Sequence, residues 1–213
     1  NENLPPQNLE SYSTEALANF ARTVEEFSEL LNTIKSEDAN IGLFNSIYVT
    51  VEGRKRRLGD ISNVETGDNP LKLKLMIYNK ERIEIILETI KESGFPAKHD
   101  EGSQYINVRV PKPTRMQLEE IADDLIRRTN GMSSRMMKVK TNTNLRIRAA
   151  VQNEFIENKI ATIANKIIES SYERYIKEIR VIGLLKRKQI LGSFYKSIEK
   201  DDDALIKDVN LLI

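Results

Sequence analysis

The fold of this chain is decided by the stretch Asn107-Val108-Arg109-Val110-Pro111-Lys112-Pro113-Thr114-Arg115-Met116-Gln117. Apolar and polar residues alternate up to Val110, which is typical of a half-buried strand. Pro111 and Pro113 have no backbone N–H to donate, so they end that strand and stiffen the segment after it. Thr114 and Gln117 have the spacing of a helix capping box. The sequence therefore predicts a stiff joint between a β-containing unit and a long helix.

The composition of the 213 residues excludes several kinds of site. The absence of cysteine excludes disulfides, thiolate catalysis and cysteine-based zinc sites. The single histidine, His99, lies beside Asp100 and Glu101, and we interpret it as a solvated loop residue. No apolar run is long enough to cross a bilayer, and nothing pairs a nucleophile with a base. We expect no enzyme activity, metal, cofactor, small-molecule substrate or membrane partner.

Charge is nearly balanced along the chain. The 33 basic and 32 acidic residues leave a formal net charge of +1. A surface that binds nucleic acid must therefore be a local patch, because the field of the whole molecule is weak.

Three long segments have the periodicity of helices. Apolar residues recur at intervals of three and four, which predicts helices over about 14–36, 114–158 and 160–191, with Ser13 and Thr14 as possible caps of the first. Each helix has a single apolar stripe that needs a partner. The three helices are therefore expected to form a bundle.

Between the first two helices the pattern changes to that of strands. Residues 47–51, 71–77 and 105–110 alternate between apolar and polar, and a short helix is predicted at about 80–93. The predicted fold class is α+β: an elongated three-helix bundle with a small α+β domain inserted between helices one and two. The predicted parts are a flexible leader 1–13, a bundle made of 14–40 and 111–191, an inserted domain 41–110 and a C-terminal extension 192–213.

The extension combines an acidic run with an apolar end. We interpret Asp201–Asp203 as a solvated linker, because three adjacent acids do not converge on one metal ion without other ligands. The residues after it favour a docking segment, since an exposed apolar tail promotes aggregation. The apolar residues are Leu205, Ile206, Val209, Leu211, Leu212 and Ile213.

The order and spacing of these segments resemble the ribosome recycling factor family over about 14–191. The segments that carry the resemblance are Arg109–Thr114, Ile47–Val64, Leu71–Tyr78 and Tyr175–Lys188. The resemblance implies a factor without covalent chemistry that binds the large ribosomal subunit and its rRNA after termination. It also implies an elongation factor G-type GTPase as the partner with which the subunits are split.

The resemblance implies that basic residues of the bundle hold rRNA. The family's helix-two signature falls on Met137–Asn144, where Asn144 is kept and Lys140 keeps a charge at the position of the key arginine. The basic end of the family's helix one is replaced by Lys35-Ser36-Glu37-Asp38. The RNA-binding residues predicted from this match and its neighbourhood are Lys35, Arg135, Lys138, Lys140, Asn144, Arg146 and Arg148.

Two other segments are assigned a role. A hinge between the bundle and the inserted domain is predicted at Ile41, Gly42, Val110, Pro111, Lys112 and Pro113. The run Arg54, Lys55, Arg56 and Arg57 has two open interpretations: a contact with RNA or an acidic protein, or a solvated hairpin loop.

Three functions remain open from the sequence. The first is a recycling factor, and the second is a stably bound structural or assembly component of a mitochondrial, or other organellar, ribosome. The third is a helical interaction protein without a ribosomal role. The divergence from the family and the Asn- and Ile-rich composition favour the mitochondrial matrix, with a plastid-type organelle or a bacterial cytoplasm as alternatives.

Overall fold

A computed structural model of the chain describes residues 9–210 and divides them into two compact units. The first unit contains the chain up to Ile34 and from Glu119 onward, and the second is Lys35–Leu118. The predicted α+β class is confirmed. Residues 35–40 and 111–118, which the sequence assigned to the bundle, group with the second unit, and residues 192–210 group with the first.

The described residues form seven α-helices and six β-strands, each kind numbered along the chain. The helices are α1 Leu9–Asn32, α2 Asp38–Asn45, α3 Leu58–Ile61, α4 Ile83–Glu92, α5 Arg115–Gln152, α6 Asn158–Leu191 and α7 Asp202–Asn210. The strands are β1 Tyr48–Val51, β2 Arg54–Arg57, β3 Ser62–Thr66, β4 Lys72–Ile77, β5 Ala97–His99 and β6 Tyr105–Arg109.

The first helix begins earlier than the sequence predicted. Residues 1–8 of the predicted leader lie outside the described residues, but α1 already begins at Leu9, so Ser13 and Thr14 lie within the helix and do not cap it. Tyr12 and Ala16 are buried and continue the apolar stripe toward the N-terminus. That burial explains the early start, because a stripe that packs on a partner extends the helix that carries it.

The first unit is built from α1, α5 and α6. Helix α5 continues through residues 142–144, where the buried Thr143 side chain donates a hydrogen bond to the Val139 carbonyl at 2.8 Å. It ends at Gln152, before the predicted 158, where Glu154 adopts a left-handed φ of 58° and the Phe155 N–H donates to the Ala150 carbonyl.

Helices α5 and α6 approach each other closely at Gly183. The residue is buried, and a Cβ added there would overlap the hydroxyl oxygen of Thr129 on α5. A glycine is therefore required for this helix pair to pack as it does.

The second unit contains two antiparallel sheets. Strands β1 and β2 form a hairpin, and the other four strands pair in the order β3-β4-β6-β5. Alternating side chains of β4 and β6, such as Leu75 and Ile106, are buried in a core shared with α4. The strand pairing extends to the Val110 N–H, which donates to the Leu71 carbonyl at 2.7 Å, and Pro111 follows.

Three strands were not predicted from the sequence. The solvated hairpin loop suggested for Arg54–Arg57 is wrong only in its conformation, because these residues form the hairpin strand β2, whose side chains are all exposed. A strand without buried residues shows no apolar alternation, which is why the pattern missed it. Strands β3 and β5 each pair with a longer neighbour and bury too few side chains to give the pattern either.

The C-terminal extension packs on α6 within the first unit. Asp202, Leu205 and Ile206 are buried, so the interpretation of the acidic run as a solvated linker is wrong for its central residue. Asp202 accepts hydrogen bonds from the backbone N–H groups of Ile198 and Glu199 and from Arg180 at 2.9 Å. The docking expected of the extension is met by α7 on α6, while Leu211, Leu212 and Ile213 lie outside the described residues.

Candidate nucleic-acid interface

Lys140, one of the predicted RNA-binding residues, connects two helices. Its ammonium group lies 3.1 Å from a carboxylate oxygen of Glu169 on α6 and 4.2 Å from the ring centre of Tyr172. Only 16% of the Lys140 side chain is exposed. A phosphate that recruited this lysine would therefore have to compete with a carboxylate and an aromatic face that already hold it.

Two predicted RNA-binding arginines also form ion pairs between helices. Arg135 pairs with Glu26 on α1, and Arg146 pairs with Glu15 on α1 at 2.9 Å. The hydrogen bond from Arg135 lowers the pKa of Glu26 below its ordinary value. Burial raises the pKa of Tyr12, and the charge of Arg146, 5.7 Å from the ring centre, opposes that rise.

The two remaining cations of this region are available to a partner. Lys138 and Arg148 are exposed and form no ion pair or hydrogen bond with another residue between 9 and 210. Asn144 lies between them in sequence and is half-buried, and its side-chain oxygen has no hydrogen-bond partner within the described chain. A buried amide oxygen without a partner is a group that a ligand or ordered water would satisfy.

A groove of about 610 Å³ lies beside Asn144, between α5 and α6. Its rim has two cations, Arg148 and Lys166, and its carboxylate, Glu169, is the one paired with Lys140. The other side chains that line it are Asn144, Ile147, Val151, Gln152, Asn158, Ala161, Thr162 and Asn165. Hydrogen-bonding amides next to two unpaired cations suit a phosphodiester backbone.

The sequence reasoning did not identify Lys166. A signal was present, because Asn158, Thr162, Asn165 and Glu169 succeed one another at intervals of three and four, which gives α6 a polar stripe. Lys166 lies on the edge of that stripe and enters the groove with it.

Lys35 is in the second unit, while the other predicted RNA-binding residues are in the first. Its side chain is exposed, and its backbone N–H donates to Asp38 at 3.1 Å, just before α2. The turn that precedes it is closed by hydrogen bonds from Thr33 and Ile34 to the last carbonyls of α1.

The predicted hinge residues lie in two different settings within the second unit. Ile41 and Gly42 lie inside α2, whereas Val110 to Pro113 lie outside helices and strands. Buried Asn40 connects the two settings, since its amide donates to the Pro111 carbonyl at 2.8 Å. The predicted capping box is confirmed: the Thr114 N–H donates to the Gln117 side chain at 2.9 Å, and the Gln117 N–H donates to the Thr114 hydroxyl at 3.2 Å.

Residues 9–210 offer neither a membrane span nor a metal site. None of the described helices is both long enough and apolar enough to cross a membrane. Within the same residues, no group of three or more His, Asp or Glu side chains is arranged to hold a metal ion.

Comparison with known proteins identifies relatives for most of the chain. A sequence model of the ribosome recycling factor family matches residues 27–191. The ribosome-recycling factor of Symbiobacterium thermophilum is 19% identical over 170 residues, which cover 80% of this chain and 91% of that protein. The ribosome-recycling factor of Buchnera aphidicola is 23% identical over 170 residues, which cover 79% of this chain and 90% of that one.

A solved structure is also similar to this chain. The solution structure of a ribosome recycling factor aligns with a TM-score of 0.49 and 19% identity, over 86% of this chain and 97% of that one. The family match includes residues of both compact units and ends at the last residue of α6. This chain belongs to the ribosome recycling factor family.

Proposed function

We propose that this protein is a recycling factor that binds the rRNA of the large ribosomal subunit and promotes separation of the subunits after termination, together with an elongation factor G-type GTPase. The observation that carries the proposal is the family match over residues 27–191, which includes α5, α6 and the whole of the second unit. A chain that kept only the bundle or only the inserted unit would give much weaker support.

The surface we propose for rRNA is the part of α5 and α6 around the groove. Arg148 and Lys166 provide charge there, Asn144 provides an amide next to them, and Lys138 is a further exposed cation of α5. Arg135, Lys140 and Arg146 contribute mainly by fixing α5 against α1 and α6, since each has an acidic partner on another helix. RNA binding would then depend on fewer cations than the family resemblance implied.

We further infer that the segments at Ile41–Gly42 and Val110–Pro113 form a joint on which subunit separation depends. Two prolines restrict the backbone of the second segment. The hydrogen bond between Asn40 and Pro111 supports the idea that both segments act together. Deletion of Lys112 and Pro113 is expected to abolish subunit separation and to leave ribosome binding intact.

The ribosome in this proposal is of bacterial type, because the two relatives named above are bacterial proteins. Such ribosomes occur in bacterial cytoplasm and in organelles, and the mitochondrial matrix stays a prediction. Fractionation of the source cells with a tagged chain would test it.

The decisive experiment uses post-termination ribosomes from the protein's own compartment. We expect light scattering to fall when the protein, the GTPase and GTP are added together, and to stay constant when any one is left out. Sedimentation through sucrose gradients in rising salt gives a second result. A recycling factor leaves the ribosome at moderate salt, since its binding depends on phosphate contacts.

Other results would assign other functions. A chain that stays bound at high salt and does not change light scattering would be a stable component of the ribosome. A chain that never sediments with ribosomes would be an interaction protein without a ribosomal role, and the proposal would be wrong.

A further inference from the structure

The second unit carries a strip of cations on β2 that the proposed function does not use. Register in the hairpin sets Arg57 opposite Tyr48 and Lys55 opposite Thr50, so these four share one face. Arg54 and Arg56 lie opposite the buried Val51 and Val49, yet their own side chains are exposed. We call Arg54–Arg57 the basic strand.

The basic strand is an edge of its sheet. Within the described chain β2 pairs with β1 alone, so its other side has backbone groups that no strand covers. Lys55 and Arg57 are two residues apart in the strand, so their positions lie about 7 Å from each other on one face. This spacing is similar to that of successive phosphates along a nucleic-acid strand.

Acidic side chains do not neutralise the basic strand within residues 9–210. Glu52, at the tip of the hairpin, is 3.8 Å from Arg82 instead. Asp60, which follows the strand, forms no ion pair, and the raised pKa of Arg57 is due first to the hydrogen bond with Tyr48 and only to a lesser degree to the charge of Asp60. Four adjacent cations repel one another, and a bound polyanion would remove that repulsion.

An exposed aromatic ring accompanies the basic strand. Tyr48 is 50% exposed, its hydroxyl accepts a hydrogen bond from Arg57 at 3.2 Å, and the guanidinium lies 5.9 Å from the ring centre. The Tyr48 ring, which Arg57 holds at the end of the basic strand, can stack on an unpaired base.

The chemistry favours RNA over an acidic protein as the partner. Three of the four cations are arginines, whose planar fork matches phosphate oxygens bidentately. The outward face of the hairpin has no aliphatic side chain, since Val49 and Val51 are buried, so its contacts would be made by the cations, Thr50 and the Tyr48 ring.

We propose that the basic strand, with Tyr48, is an RNA-binding site of the second unit that grips the phosphate backbone of single-stranded RNA and stacks one base on the tyrosine. This inference goes beyond the proposed function, because it requires neither a ribosome nor a GTPase.

The test measures binding of the full chain to a fluorescently labelled dodecamer of uridylate by anisotropy, between about 50 and about 200 mM salt. In the strand variant, Arg54, Lys55, Arg56 and Arg57 are all replaced by Gln. Loss of four phosphate contacts at about 0.7 each reduces the slope of log affinity against log salt by about 3. Affinity at the lower salt concentration falls at least about tenfold.

The control variant replaces four exposed lysines elsewhere in the second unit by Gln: Lys72, Lys80, Lys91 and Lys98. It removes the same charge as the strand variant but from outside the proposed site. The slope of log affinity against log salt should therefore change by less than about 1. Equal losses in the strand and control variants would show binding by general charge and would overturn the proposal. Both variants are compared by circular dichroism melting, since they replace exposed side chains only.

A second pair of variants tests the site without removing its charge. Tyr48→Ala should lower affinity at least about fivefold with an unchanged salt slope, whereas Tyr48→Phe should bind like the parent because it keeps the ring. Equal binding by all three would overturn the stacking part of the proposal. Polyglutamate is the competitor for the protein alternative, and displacement of RNA by an equal concentration of glutamate residues would overturn the choice of RNA.

Discussion

Gln117 and Asn40, which are 77 residues apart in sequence, are joined by a hydrogen bond of 2.7 Å from the Gln117 amide to the Asn40 carbonyl oxygen. The Asn40 amide in turn donates to the Pro111 carbonyl. Gln117 therefore has two tasks, since its own side-chain oxygen also accepts from Thr114 at the start of α5. One buried asparagine thus ties α2 to the segment that leads into α5.

Replacement of Asn40 by Ala should destabilise the second unit. Asn40 is 6% exposed, and its loss leaves the Pro111 carbonyl without this donor and the Gln117 amide without this acceptor. We expect a loss of about 1–3 kcal/mol in the free energy of unfolding, measured by urea denaturation. Asn45→Ala, at the exposed end of α2, is the control and should change stability by less than about 0.5 kcal/mol. Equal effects would contradict a specific role for Asn40.

Gly183→Ala should destabilise the first unit by about 1–3 kcal/mol, because the added methyl overlaps Thr129. Thermal melting of the single variant and of the double variant with Thr129→Ala measures this. The double variant should recover most of the loss, since removing the hydroxyl and methyl of Thr129 makes room.

The matched control for that prediction is Gly131→Ala. Gly131 is an exposed residue within α5, and open space surrounds the position of an added Cβ. The same substitution should here raise stability by about 0.4–1 kcal/mol. Destabilisation at both glycines would show that packing at Gly183 is not the cause.

The attachment of α7 should weaken in acid. Burial by itself would raise the pKa of Asp202, but the N–H groups of Glu199 and Ile198 and the Arg180 guanidinium outweigh it and hold that pKa below the ordinary value. A depressed carboxyl pKa contributes stability above the pKa of the unfolded chain, about 3.9, and that stability is lost as the pH falls through the folded value.

Hydrogen exchange of the α7 amides at pH 7 and near pH 3 measures that contribution. Asp202→Asn should expose α7 amides at pH 7, and its difference from the parent should be smaller near pH 3, because the parent loses the stabilising charge progressively as the pH falls below the ordinary carboxyl pKa. Asp201→Asn, at an exposed neighbour, should behave like the parent at both pH values. A pH-independent difference between Asp202→Asn and the parent would contradict the prediction.

Binding to ribosomes should depend most on the cations without acidic partners. Replacing Lys138 and Arg148 by Gln should lower the salt slope of ribosome binding by about 2, one for each lost phosphate contact. Replacing Arg135 and Arg146 by Gln removes the same charge but breaks ion pairs with Glu26 and Glu15 instead. That variant should keep a slope within about 1 of the parent, as sedimentation at several salt concentrations would reveal.

Local sequence patterns predicted the parts of this fold that depend on local chemistry. The end of the strand at Pro111 and the capping box of Thr114 and Gln117 follow from missing donors and from the spacing of side chains. The edge strand β2 was missed, because a strand that buries nothing has no apolar period to detect.

The partners of charged residues could not be predicted in the same way. Whether Lys140 faces solvent or Glu169 depends on the relative register of α5 and α6, which no pattern within either helix fixes. The same holds for Arg146 and Glu15, which are 131 residues apart. Sequence similarity marks the position of a cation but not the group that holds it.

Helix α7, which follows the family-matched segment, determines which side chains a shortened protein would expose. A protein cut after Leu191, where the family match ends, would leave Arg180 with neither Glu199 nor Asp202 beside it. It would also bare Val181 and Ile182, which line a groove with Leu205. Such a truncation would produce a molecule with an exposed apolar surface on α6. Any self-association of the truncated protein would be an artefact of the cut.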